Sequence, residues 1–275
     1  MTVSRIDARF AALKAENRAG FVAYVMAGDP HAAATLEILR GLPGAGADLI
    51  ELGFPFSDPM AEGPAIQRAA QRALQGGMTV RGTLALVRAF REQDQATPIV
   101  LMGYLNPVLN YGFEAFAHDA AEAGADGLII VDCPPEESAP LADALDAAGV
   151  ALIRLATPTS DDARLEVVVK RTSGFVYYVS VAGVTGVKEA DADLVAPAVA
   201  RVRRASGLPV AVGFGVRTPE RAAAVARIAD AVVVGSALVD EGAKAAATNE
   251  NVTARVLDTA ARLAQAVRSA RWVQG

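Results

Sequence analysis

The chain has 275 residues, 52% of them hydrophobic, and a formal net charge of -5. That length suits a single α/β barrel spanning 1–275, no apolar run approaches the roughly 20 residues of a membrane helix, and the acidic balance disfavours nucleic acid and anionic lipid as partners. The only cysteine, Cys133, excludes an internal disulfide framework and fits a reducing compartment, so a soluble, cytoplasmic protein is expected.

The opening MTVSRIDARFAALKAENRAG lacks the apolar core of a secretory signal, and Asp7 and Glu16 fit poorly with a transit peptide. Ile6, Phe10 and Leu13 share one helical face, which predicts an extra helix ahead of the first strand. Eight nearly continuous apolar runs follow, at 21–27, 48–54, 98–104, 126–132, 150–156, 174–181, 208–214 and 230–236. Strands covered on both faces read this way. Between them AATLEILRGL, VRGTLALVRAF, ESAPLADALDAA and PERAAAVARI carry apolar residues at three- and four-residue spacing, the period of helices. The phrases AGAD-LIEL, AGAD-GLII and RIAD-AVVV repeat one unit, a helix end, a turn at Asp and a new strand. Eight such units close most simply into a (β/α)8 TIM barrel. A doubly wound open sheet lacks support, because no Gly-x-Gly-x-x-Gly follows the first run.

In such a barrel the loops leaving the C-terminal strand ends build the active site. Glu51 lies inside the second apolar run. It is either a structural carboxylate paired to an arginine, for which Arg154 in the fifth run is a mate, or a catalytic acid and base whose pKa burial raises. Strand alternation alone leaves both open. Glu62, in the turn-rich SDPMAEGP, is a second carboxylate over the same mouth or a solvated loop charge, and Asp58 reads as a turn residue. Gly186, Gly215 and Gly235 follow the sixth, seventh and eighth runs. Singly they are ordinary turn residues. Jointly, with a helix beginning after Ser236, they favour a bound phosphate, the helix end contributing about 0.3–2 kcal/mol. His31 opens a helix and His118 sits within one, metal-ligand spacing is absent, and the four lysines avoid the strands. Carboxylate acid–base chemistry remains.

The motifs ELGFPFSDPMAEGPAIQ, GYLNP, VDCPPEES, SVAGVTG and VGFGV, in this order, resemble the tryptophan synthase alpha chain family over nearly the whole sequence. The resemblance implies a lyase that cleaves indole-3-glycerol phosphate to indole and glyceraldehyde 3-phosphate, with Glu51 moving protons and Glu62 holding the indole N–H. It implies phosphate binding by Gly186, Phe214, Gly215, Gly235 and Ser236, and positioning of the carboxylates by Tyr177 and Thr185. The indole slot would be Tyr24, Met102, Ile129, Leu155 and Phe214. The family usually carries Asp where this chain has Glu62, and often Arg where it has Val181. The extra methylene would move the carboxylate by roughly 1 Å. A missing arginine would remove an anchor of the loop after the sixth strand.

No cofactor is implied on this chain. Pyridoxal phosphate belongs to the partner beta chain, which receives indole through a tunnel in an alpha2 beta2 heterotetramer. Asp58, Pro59, Asn106, Asn110 and Pro134 would meet that partner. Two other readings stand beside this one: a subunit that chiefly binds and activates a beta chain, and another phosphate-binding barrel isomerase or decarboxylase.

Overall fold

The computed structural model describes residues 4–179, 192–213 and 215–271. Eight parallel strands pair in chain order and close on themselves. They are β1 (Gly20–Met26), β2 (Leu49–Gly53), β3 (Ile99–Gly103), β4 (Gly127–Ile130), β5 (Ala151–Ala156), β6 (Val176–Val179), β7 (Val210–Gly213) and β8 (Ala231–Val234). The last returns to the first in the register Gly20↔Ala231 to Ala23↔Val234. Apart from Gly20, every strand residue falls within the apolar runs of the sequence. The runs overshoot because residues just past a strand can stay buried after leaving the ladder, as Phe54 does at 2% exposure.

Twelve α-helices occur among the described residues. One precedes the barrel as expected, α1 (Arg5–Ala15). The others are α2 (Ala32–Gly41), α3 (Pro64–Gln75), α4 (Val80–Arg91), α5 (Leu105–Tyr111), α6 (Phe113–Ala123), α7 (Ala139–Ala148), α8 (Asp162–Val169), α9 (Ala192–Ser206), α10 (Pro219–Ala226), α11 (Ser236–Ala247) and α12 (Val252–Ser269). Three strands, β2, β3 and β8, are followed by two helices each. One boundary differs from expectation. Ser236 is the first residue of α11 and not the last of a strand, because the Gly235 carbonyl already accepts from the Leu238 and Val239 amides, at 2.9 and 3.1 Å.

Alternation along the strands divides the core in two. Val22, Leu49, Val100, Ile129, Ile153, Ala211, Ala231 and Val233 point into the barrel, and their neighbours face the helices. From below, α1 presses Ile6, Phe10 and Leu13 into the same interior cluster, with Phe10 and Phe175 ring centroids 5.6 Å apart. The one-face pattern of α1 is thus explained by what it plugs.

The recurring Asp is more than a turn residue. Asp48, Asp126 and Asp230 each stand just before an even-numbered strand and accept from an amide in the first two residues of the preceding one: Phe21 at 2.9 Å, Ile99 at 2.8 Å and Val210 at 2.9 Å. Each also binds an arginine. Arg18 grips Asp48 with two bonds of 2.8 and 2.9 Å, Arg91 reaches Asp126 at 2.7 Å, and Arg203 reaches Asp230 at 3.0 Å. A buried carboxylate is tolerated here because donors satisfy its lone pairs.

Candidate active site

Leu49 and Glu51 share one face of β2, so Glu51 points inward with Leu49, level with Tyr24 on β1 and Val100 on β3. It is 1% exposed, and its Oε2 has no hydrogen-bond partner among the described residues. The structural alternative fails on alternation. Ile153 and Leu155 face the barrel interior, which turns Arg154 outward, where its Nη2 donates to Ser138 Oγ at 2.5 Å. Without a cation, Glu51 meets the full cost of burial. Desolvation first, then the charge of Glu62, pushes its pKa up to about 8.

Glu62 is not the solvated loop charge that one reading allowed. Its loop is held by Ala61 N donating to Tyr104 Oη at 3.0 Å, Glu62 N donating to the Pro59 carbonyl at 3.1 Å, and Gln67 Nε2 donating to the Glu62 carbonyl at 2.9 Å. The side chain is half-buried over the barrel mouth, and desolvation raises its pKa to about 7. Both carboxylates line one cavity of about 610 Å³, within the range of small-ligand sites.

Tyr24 and Tyr177 flank Glu51 in that cavity, and Met102 and Leu155 supply apolar wall. At the far side Gly215, with φ +62, joins Gly235 and Ser236, so the glycine turns after β7 and β8 converge with the N-terminus of α11. Thr185, Gly186 and Phe214, with Val181, lie outside the described residues. Ile129 is the exception among the expected slot residues: it is fully buried in the packed interior and does not reach the cavity. Val131, two residues further along the same face, takes that place. It was legible in principle, since inward positions recur every second residue. The same rule adds Val179 beyond Tyr177 and Val233 before Gly235. Thr157 and Thr159, in the loop after β5, also line the cavity and carried no signal beyond their place at a strand end.

Other groups stay apart. Burial pushes the Cys133 thiol up, away from reactivity, despite the nearby Arg154 charge. On α6 the ligand atoms of His118, Asp119 and Glu122 come within 4.8 Å of one another, which the sequence spacing did not suggest, but none of the three lines the cavity. Asp58 is exposed, with Ser57 Oγ donating to it at 2.6 Å and its carbonyl accepting from Met60 N, as a turn residue would. Pro59 and Pro134 lie in the loops after β2 and β4, and Asn106 and Asn110 in α5 after β3; all but half-buried Pro59 are exposed.

The family model described as tryptophan synthase alpha chain matches residues 10–268. The tryptophan synthase alpha chain of Caulobacter vibrioides is 77% identical over 271 residues, 98% of each chain, and that of Phenylobacterium zucineum is 74% identical over the same coverage. Among solved structures, the alpha subunit of tryptophan synthase from Legionella pneumophila superposes with a TM-score of 0.91 at 40% identity, covering 97% of this chain and 99% of that one. Tryptophan synthase from Mycobacterium tuberculosis gives 0.88 at 39% identity, covering 97% and 99%. Sequence likeness of this depth, running through the strand ends that build the cavity, means that the chain belongs to the tryptophan synthase alpha chain family.

Proposed function

We propose that Glu51 moves the protons of the reaction and that Glu62 balances the charge this creates. As a member of its family, the chain is a lyase of tryptophan biosynthesis that cleaves indole-3-glycerol phosphate and works with a beta chain. One observation carries the assignment: Glu51 is buried at the cavity without a counter-ion among the described residues, so near neutral pH it is an acid with a proton to give.

In its acid form Glu51 protonates C3 of the indole ring, leaving positive charge at the ring nitrogen. The Glu62 carboxylate, facing the N–H, stabilises that cation. The bond from C3 to the glycerol carbon then breaks, and its electron pair returns to the ring and restores the nitrogen lone pair. The hydroxyl proton on the departing carbon passes to Glu51 as the aldehyde forms. Glu51 ends protonated, as it began. Each proton and electron pair is accounted for without a cofactor on this chain.

Tyr177 and Thr185 position the carboxylates, and Tyr24, Met102, Leu155 and Phe214 hold the ring; Ile129 supports that slot from beneath. The phosphate sits at Gly215, Gly235 and Ser236, with Gly186 and Phe214. Support comes from the first turn of α11, whose amides lack helical partners and present the positive end of the helix. The beta chain meets Asp58, Pro59, Asn106, Asn110 and Pro134. Exposed Met60 and Leu109, at 79% and 59%, give that rim an apolar character. The sole cysteine fits the cytoplasm.

Replacing Glu51 with Gln keeps size and burial but removes the transferable proton. Indole release from indole-3-glycerol phosphate should fall about 10²- to 10⁴-fold with substrate affinity little changed. A variant within a few-fold of the native rate refutes the assignment.

A further inference from the structure

The Tyr24 hydroxyl is a polar group that the mechanism above leaves idle. Its ring runs through a slot cleared by two glycines. A side chain at Gly235 would begin 3.2 to 3.4 Å from Tyr24 Cδ1, Cβ and Cγ, and one at Gly53 would begin 2.3 Å from Tyr24 Oη. The ring is therefore fixed across the end of β2, with its hydroxyl beyond Gly53. Tyr24 is 6% exposed and lines the cavity, yet among the described residues its hydroxyl makes no hydrogen bond. The hydroxyl is therefore an unpaired donor open to the cavity, a place where a partner can arrive.

Glu62 is the less firmly placed carboxylate among the described residues. Glu51 stands on a strand, whereas Glu62 stands on a loop, and among the described residues the hydrogen bonds at Glu62 engage its backbone and not its carboxylate. A Glu side chain on a loop has three torsions to fix before it can serve as a point of charge. The charged and titratable groups facing Tyr24 are Glu62 from the loop, Glu51 from β2, Tyr104 from beyond β3 and Tyr177 from β6. Burial is the first influence on both tyrosines; among the charges, Glu62 comes first at Tyr24 and Glu51 first at Tyr177. Tyr177 repeats the same geometry, since a side chain at Gly213 would begin 2.5 Å from its Oη. The two hydroxyls thus bracket the pair, one for each carboxylate.

We propose that Tyr24 is a positioning residue: its hydroxyl donates to the Glu62 carboxylate and holds it, ionised, against the indole N–H of the bound substrate. This rests on the assignment of Glu62 to the developing cation. A donor to the charged form favours that form, so the bond makes Glu62 ionise at lower pH than burial alone would allow.

The test is Tyr24→Phe, which removes one oxygen from a ring already packed, assayed for cleavage of indole-3-glycerol phosphate with the beta chain present. The expected result is a kcat about tenfold lower with KM nearly unchanged. The acidic limb of the pH–rate profile should move to higher pH. In a Glu62→Gln background the same change should have no further effect, because there is no carboxylate left to hold. A Tyr24→Phe enzyme with native kcat and an unmoved acidic limb overturns the proposal, as does a full additional loss in the Glu62→Gln background. Native rates in Glu62→Gln itself would instead remove the role given to Glu62, so the two failures are distinguishable. Matching thermal midpoints for native and Tyr24→Phe protein separate a local effect from loss of fold.

Discussion

A carboxylic acid keeps its proton near neutral pH only where water and cations are both kept away, and Glu51 is 1% exposed with no cation bonded to it among the described residues. The proposed reaction needs Glu51 protonated and Glu62 ionised at once. With Glu62 raised to about 7 and Glu51 to about 8, that state is populated in a narrow window. The plot of kcat/KM against pH should be a bell, rising as Glu62 loses its proton and falling as Glu51 does. A flat profile between pH 6 and 9, on a pH-independent substrate concentration scale, would contradict the pairing. Much of this was legible in the sequence, because a Glu within an apolar run is conspicuous. Its direction was not, since alternation fixes relative faces only. Leu49 and the outward Arg154 settled it. Ile129 and Val131 show the same limit at the scale of one residue step: the face was right, and the depth along it was not.

At the scale of elements, the eight strands could be read because burial on both faces leaves apolar runs without a polar beat. The helices could be read from their three- and four-residue spacing. The role of the repeated Asp could not, because its bonds reach back to the preceding strand, 20 to 27 residues away. Those bonds lock strands in pairs at the end opposite the cavity. Asp48→Ala would leave the 8% exposed Arg18 side chain without its main counter-ion and the Phe21 amide without its acceptor. A loss of about 3–5 kcal/mol is expected, read as a lower urea midpoint. The rate per folded molecule should hold within about twofold, since the site draws on the other strand ends. A strong loss of rate with stability intact would show that this end of the barrel also sets the site.

At the scale of the molecule, two of the large apolar side chains most open to water, Met60 and Leu109, follow β2 and β3 on the rim around the cavity. Leu109→Glu should weaken association with the beta chain by about tenfold or more, because the interface would have to bury an unpaired charge. Cleavage by the chain alone should be unchanged. Isothermal titration with the beta chain checks the first, and a rate assay without it the second. Undiminished binding would move the interface elsewhere.

The helix that fills the barrel floor, with Phe10 wedged against Phe175, closes the lower end of the reaction chamber. Whatever forms there leaves on the side of the C-terminal strand ends, where the rim stands. A protein seated on part of that rim therefore stands beside the product's path while the rest of the mouth is left to the incoming substrate.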